Sequence, residues 1–138
     1  MTLNNPTNID KVSEPGAAAR IFGAILDLEQ EQDREKEHFW LMGLKSNNAV
    51  KFIELITLGT LDASLVHPRE VMRPLIINSV ANFILCHNHP SGERRPSEED
   101  RLVTERIKQV GLLLGIRLLD HVIIVKDGYF SFQEEEIL

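Results

Sequence analysis

Apolar residues along this 138-residue chain fall into short blocks whose spacing alternates between helical and extended periods. Residues 1–12 are polar and aperiodic and read as a flexible tail ahead of a single domain over 13–138. Ser13 offers an N-cap and Pro15 a first-turn position, and Ala18, Ile21, Phe22, Ile25 and Leu28 follow at helical spacing. Residues 29–37 are nearly all charged or amide, as suits the solvated end of that helix and a linker. Residues 38–44 form an apolar strand block, 45–48 a turn and 49–58 a second strand, together a hairpin. A loop over 59–64 leads to Pro68, which starts a helix carrying Val71, Met72, Leu75, Ile76 and Val80 on one stripe. Residues 83–86 make a core strand that runs into His87-Asn88-His89-Pro90. After a loop rich in Gly, Pro and Arg, Ser97 begins a long helix to about Gly115. A strongly apolar strand over 118–125, the turn Asp127-Gly128 and a short strand over 129–132 complete the pattern. Strands alternating with helices predict an α/β fold, one mixed β-sheet flanked by helices.

Composition narrows the classes. The 43% hydrophobic and 26% charged residues suit a soluble globular domain rather than a disordered chain. No apolar run reaches the ~18 residues that span a bilayer, and the polar start is unlike a signal peptide, so a cytoplasmic location is expected. One cysteine, Cys86, excludes an internal disulfide and a Cys-rich zinc site. The net charge of −6, with Arg94-Arg95 as the only tight basic pair, argues against direct nucleic-acid binding.

The chemistry concentrates in residues 87–100. Side chains two apart on a strand share a face, so His87 and His89 present two imidazoles together. On the helix after Ser97, Asp100 shares a face with Val103 and Ile107, which turns its carboxylate toward the sheet. Two imidazoles and a carboxylate are a zinc-type donor set, and three protein ligands leave a fourth position for water, as in catalytic sites. Blander readings stand beside this one. A His-x-His pair alone is weak evidence for metal, and Ser97-x-x-Asp100 is also an ordinary capping box.

His87-x-His89-Pro90, then Ser97-x-x-Asp100, resembles the JAMM motif of the MPN metalloprotease superfamily. The longer string His87-Asn88-His89-Pro90-Ser91-Gly92, with Pro96-Ser97, is similar to its bacterial RadC branch. Gly59-Thr60-Leu61, Pro68-Arg69-Glu70-Val71 and Leu119-Asp120-His121 carry the likeness over roughly residues 35–133. The resemblance implies a single JAB/MPN-like domain of cytidine-deaminase-like layout. It further implies a zinc-dependent hydrolase with one Zn2+ on His87, His89 and Asp100, cleaving amide or isopeptide bonds of a peptide or protein substrate. It calls for an upstream glutamate as general base, a place Glu37 fits at the entry to the first strand, with Glu35 as rival and Glu54 as a more remote one. It also implies that Ser97 helps stabilise the oxyanion.

The Asp120-His121 pair is left between a catalytic role and a buried hydrogen-bonded pair that orients its neighbours. Cys86 alternates away from the histidines and reads as a core thiol; His38 and His67 have no evident partner. Zinc nucleoside deamination is rejected, because it needs His-x-Glu with Pro-Cys-x-x-Cys. The other alternative is a RadC-like accessory protein in DNA repair that acts through partners without its own hydrolase activity.

Overall fold

A computed structural model describes the backbone of residues 2–4 and, in full, residue 12, residues 14–59 and residues 66–138. Its elements run β1 (Thr2–Asn4), α1 (Pro15–Asp27), α2 (Glu31–Arg34), β2 (Glu37–Leu44), β3 (Val50–Gly59), α3 (Pro68–Ile77), β4 (Asn82–Asn88), α4 (Glu98–Leu114), β5 (Arg117–Val125) and β6 (Gly128–Ser131). The six strands form one mixed sheet in the order β1-β3-β2-β4-β5-β6. Only β4 and β5 run parallel, joined by a crossover through α4; the other neighbours are antiparallel.

Two buried clusters lie on opposite faces of this sheet, and strand alternation sorts residues between them. On one face Ala18 and Phe22 of α1 pack with Trp40, Met42, Ile84, Cys86 and Val122. On the other, Val71 and Leu75 of α3 and Val103 and Ile107 of α4 pack with Phe39, Leu41, Phe83, Leu85 and Leu118. Phe83 and Leu85 thus lead along the α4 face of β4 toward His87, whereas Cys86 faces α1. Among the described residues no helix is long and apolar enough to cross a membrane.

Helix α4 is fixed at both ends. Ser97 and Asp100 form a reciprocal capping box, with Ser97 N–H donating to Asp100 Oδ2 at 2.8 Å and Asp100 N–H donating to Ser97 Oγ at 3.1 Å. At the far end Gly115, at φ 73°, takes the left-handed conformation that closes the helix.

Some boundaries differ from the sequence expectation. Glu14 rather than Ser13 occupies the N-cap of α1 and makes no side-chain cap bond; Ser13 lies outside the described residues. The charged linker contains the one-turn helix α2, which buries nothing and so left no apolar period to read. Ile76 is 55% exposed and Val80 is buried beyond the end of α3, so the buried stripe of that helix is Val71, Met72 and Leu75. Within the stretch read as a tail, Thr2–Asn4 pairs with β3, and Val12 is buried and donates its N–H to Asn48 O at 2.9 Å. β1 thereby covers part of a β3 edge that would otherwise present unpaired backbone groups. Gly59 closes β3, and the rest of the loop expected over 59–64 lies outside the described residues.

Gly43 of β2 pairs with Phe52, whose fully buried ring lies across it. A Cβ there would come within 2.1 Å of that ring. Gly43→Ala is expected to cost about 1–3 kcal/mol by overpacking, read as a lowered midpoint in urea unfolding; an unchanged midpoint would contradict this packing.

Candidate metal centre

β4 delivers the histidines. Its alternation turns His87 to the α4 face, fully buried, and His89 follows just past the strand end with its N–H bonded to Ile124 O at 2.9 Å. Asn88 between them points the other way and joins strands. Its Oδ1 accepts His38 N–H at 2.6 Å and its Nδ2 donates to Lys36 O at 3.0 Å, which pins both flanks of Glu37.

α4 brings the carboxylate. Asp100 is 4% exposed, and its Oδ2 lies 3.4 Å from His87 Nε2 and 3.3 Å from His89 Nε2, with the two Nε2 atoms 2.8 Å apart. Metal–ligand bonds of about 2.0–2.1 Å in a tetrahedral site place neighbouring donors about 3.4 Å apart, so the two carboxylate distances already match that edge. His89 Nδ1 lies 2.7 Å from Glu93 O, and a carbonyl can only accept, so the neutral ring is protonated at Nδ1 and its Nε2 lone pair faces Asp100. A donor set of imidazole, imidazole and carboxylate converging on one point fits a metal ion.

Electrostatics agree with a charged carboxylate. Burial works against ionisation of Asp100, but the adjoining His87 and then His89, with the bond from Ser97 N–H, outweigh that and hold its carboxyl well below the usual carboxylate range. Burial is the largest influence on His87 and lowers its pKa. Burial also lowers that of His89, yet the adjoining Asp100, the bond to Glu93 O and the charge of Glu37 leave it raised.

Glu37, half-buried, opens β2. The register Phe39↔His87 carries it to the level of His89 on the same sheet face, where its charge is felt. Ser97 is exposed beside the buried Asp100. Glu35 is exposed at the end of α2 and lines a cavity of about 520 Å³ that opens on His89, with Arg34, Asn88, Ile124 and Lys126. Glu54 pairs with Leu41, four residues along β2 from Glu37 and so about 13 Å along the strand from the level of Glu37 and His89.

The Asp120-His121 pair divides. Asp120 turns to the C-terminal segment, accepting Ser131 Oγ–H at 2.6 Å, Gln133 N–H at 2.9 Å and His121 N–H at 2.8 Å. His121 turns to the site: its Nε2 is 2.7 Å from His87 Nδ1 and its Nδ1 is 2.6 Å from Thr104 Oγ1. Thr104, which the sequence reading passed over, carried a usable signal, because it lies one turn beyond Asp100 on the same helix face. Cys86 is buried on the α1 face, where burial first and the charge of Asp120 second push its thiol up, so it is a core residue. His38 is buried against Trp40 with Nδ1 2.8 Å from Lys36 O, and His67 is exposed at the N-cap of α3.

With that geometry in view, residues 13–137 match the family described as RadC-like JAB domain. A UPF0758 protein of Chlorobium phaeovibrioides is 48% identical over 106 residues, 77% of this chain and 48% of the relative. One from Rubrobacter xylanophilus is 50% identical over 104 residues, 75% of this chain and 45% of its own. One from Clostridium acetobutylicum is 41% identical over 128 residues, 93% of this chain and 54% of its own. The chain spans about half the length of these curated relatives.

Asp120 is thus an anchor for the C-terminal segment. Asp120→Ala strands two backbone N–H donors and a hydroxyl, and is expected to lower stability by about 2–3 kcal/mol while metal uptake survives. Calorimetry beside a metal titration checks both; loss of metal by a folded variant would contradict the assignment.

Proposed function

Because the chain belongs to the RadC-like JAB-domain family, we propose that it is a zinc-dependent hydrolase of amide or isopeptide bonds. The observation that carries this is the convergence of His87 Nε2, His89 Nε2 and Asp100 Oδ2 at ligand spacing, with Ser97 exposed beside them. Three protein ligands leave a fourth tetrahedral position for water, which is the catalytic arrangement rather than the structural one. When bound, zinc supplies Lewis acidity that brings the pKa of water down to about 7.

The chain's own groups then do the rest. Glu37, level with His89, takes a proton from the attacking water and passes it to the leaving nitrogen, so the C–O bond forms as the C–N bond breaks. The Ser97 hydroxyl accepts from Asp100 N–H through its oxygen and keeps its own proton to donate to the developing oxyanion. Capping and catalysis are compatible in one side chain. The substrate is a peptide or protein whose scissile carbonyl meets the ligand set beside Ser97.

Purified protein is expected to bind about one zinc, and Asp100→Ala to lose it while staying folded. Elemental analysis with circular dichroism checks this, and stoichiometric zinc in Asp100→Ala would remove the ligand assignment. Glu37→Gln is expected to keep zinc but lose at least about 100-fold in turnover of a cleaved peptide. Full activity in Glu37→Gln, tested on a peptide library, would move the base elsewhere.

A further inference from the structure

We propose that Thr104 and His121 are positioning residues that set which nitrogen of His87 carries its proton, and so hold its Nε2 open to metal. The inference rests on the metal site proposed above. Three hydrogen bonds run in line: Thr104 Oγ1 to Asp100 O at 2.6 Å, Thr104 Oγ1 to His121 Nδ1 at 2.6 Å, and His121 Nε2 to His87 Nδ1 at 2.7 Å. All four residues are buried, and the ring of His121 is stacked on Phe132 at 4.8 Å and met edge-on by Phe39 at 5.7 Å. In this apolar enclosure the two nitrogens of His121 meet a hydroxyl and an imidazole, so its ring is neutral, and a metal-ligating imidazole such as His87 is neutral as well.

Thr104 has one hydroxyl proton and two partners to satisfy. The Asp100 carbonyl can only accept, so it claims that proton. The Thr104 oxygen then accepts Nδ1–H of His121, whose bare Nε2 accepts Nδ1–H of His87. That leaves the His87 Nε2 lone pair facing Asp100 Oδ2 and His89 Nε2. Were Thr104 to donate to His121 instead, every proton in the chain would shift. His121 would donate from Nε2, and the His87 proton would sit on Nε2, where it blocks a metal. One backbone carbonyl, belonging to a ligand residue, selects the open form.

The same chain ties together two ligands from different elements. Asp100 and Thr104 sit one turn apart on α4, His121 lies on β5 and His87 on β4. His87 and Asp100 are therefore joined on the protein side before any ion bridges them. Threonine back-bonding to the preceding turn is common in helices and by itself implies no function. The continuation through two buried imidazoles to a ligand atom is what sets this one apart.

The test uses the full chain loaded with zinc. Nitrogen-15 long-range correlation spectra of the wild type are expected to show His87 and His121 both protonated at Nδ1; His121 protonated at Nε2 would overturn the proposal without any variant. Zinc affinity, read by competition with a chromophoric chelator, is expected to weaken about 10–100-fold in Thr104→Val. Thr104→Ser, which keeps the hydroxyl, is expected to restore wild-type affinity. Unchanged affinity in folded Thr104→Val would overturn the proposal. If wild type binds zinc and Asp100→Ala does not, that result defeats this inference alone. If wild type binds no zinc, the metal reading falls and takes this one with it.

Discussion

The bond from Ser97 N–H to Asp100 Oδ2, 2.8 Å long, is the interaction on which the site depends. It starts α4, and it also aims the carboxylate oxygen that lies 3.3–3.4 Å from the two histidines. A helix cap normally serves only the four backbone donors left open at a helix start. Here the cap's acidic partner is pushed below the surface and shared with β4. Val103 and Ile107 hold that helix face against the sheet, so the apolar core of α4 and its polar first turn act on one geometry. Capping and the proposed metal ligation, alternatives at the level of sequence, draw on one carboxylate.

β4 provides the opposing constraint. It lies between β2 and β5, paired without a break to β2 from Asn82 to His87 and, beyond one irregularity at Phe83/Ile84, to β5 from Ile84 to Asn88. A slip of one residue would send His87 to the α1 face among Trp40 and Ile84 and bring Cys86 to the site. Asn88 guards against that by binding the backbone at His38 and Lys36, which also fixes where Glu37 enters. Glu37, the two histidines and the Ser97–Asp100 pair thus come from three separate stretches that meet at one end of the central strands.

Much of this was legible in the sequence because the signals were local. Strand alternation put His87 and His89 on one face, and the helix period put Asp100 with Val103 and Ile107. The Ser97 cap and the Gly115 stop were visible as residue types. What escaped was long-range or featureless. Thr104 and His121 meet across 17 residues and two elements, and the place of Thr104 one turn beyond Asp100 pointed to the site but not to His121. The pairing of Asp120 with Ser131 and Gln133 likewise needed the β5–β6 turn to be closed first. α2 buries no residue and had no period to detect, and Ile76 continued an apolar stripe past the point where α3 still faces the core.

The central claim is that the end of β4 and the start of α4 hold zinc through two imidazoles and one carboxylate, with the fourth position open. X-ray absorption at the zinc edge of the loaded protein tests it most directly. The account predicts a four-coordinate first shell of nitrogen and oxygen at about 2.0–2.1 Å, with outer-shell scattering that counts two imidazole rings. A shell with sulfur in it, or with fewer than two imidazoles, would contradict the assignment of His87, His89 and Asp100.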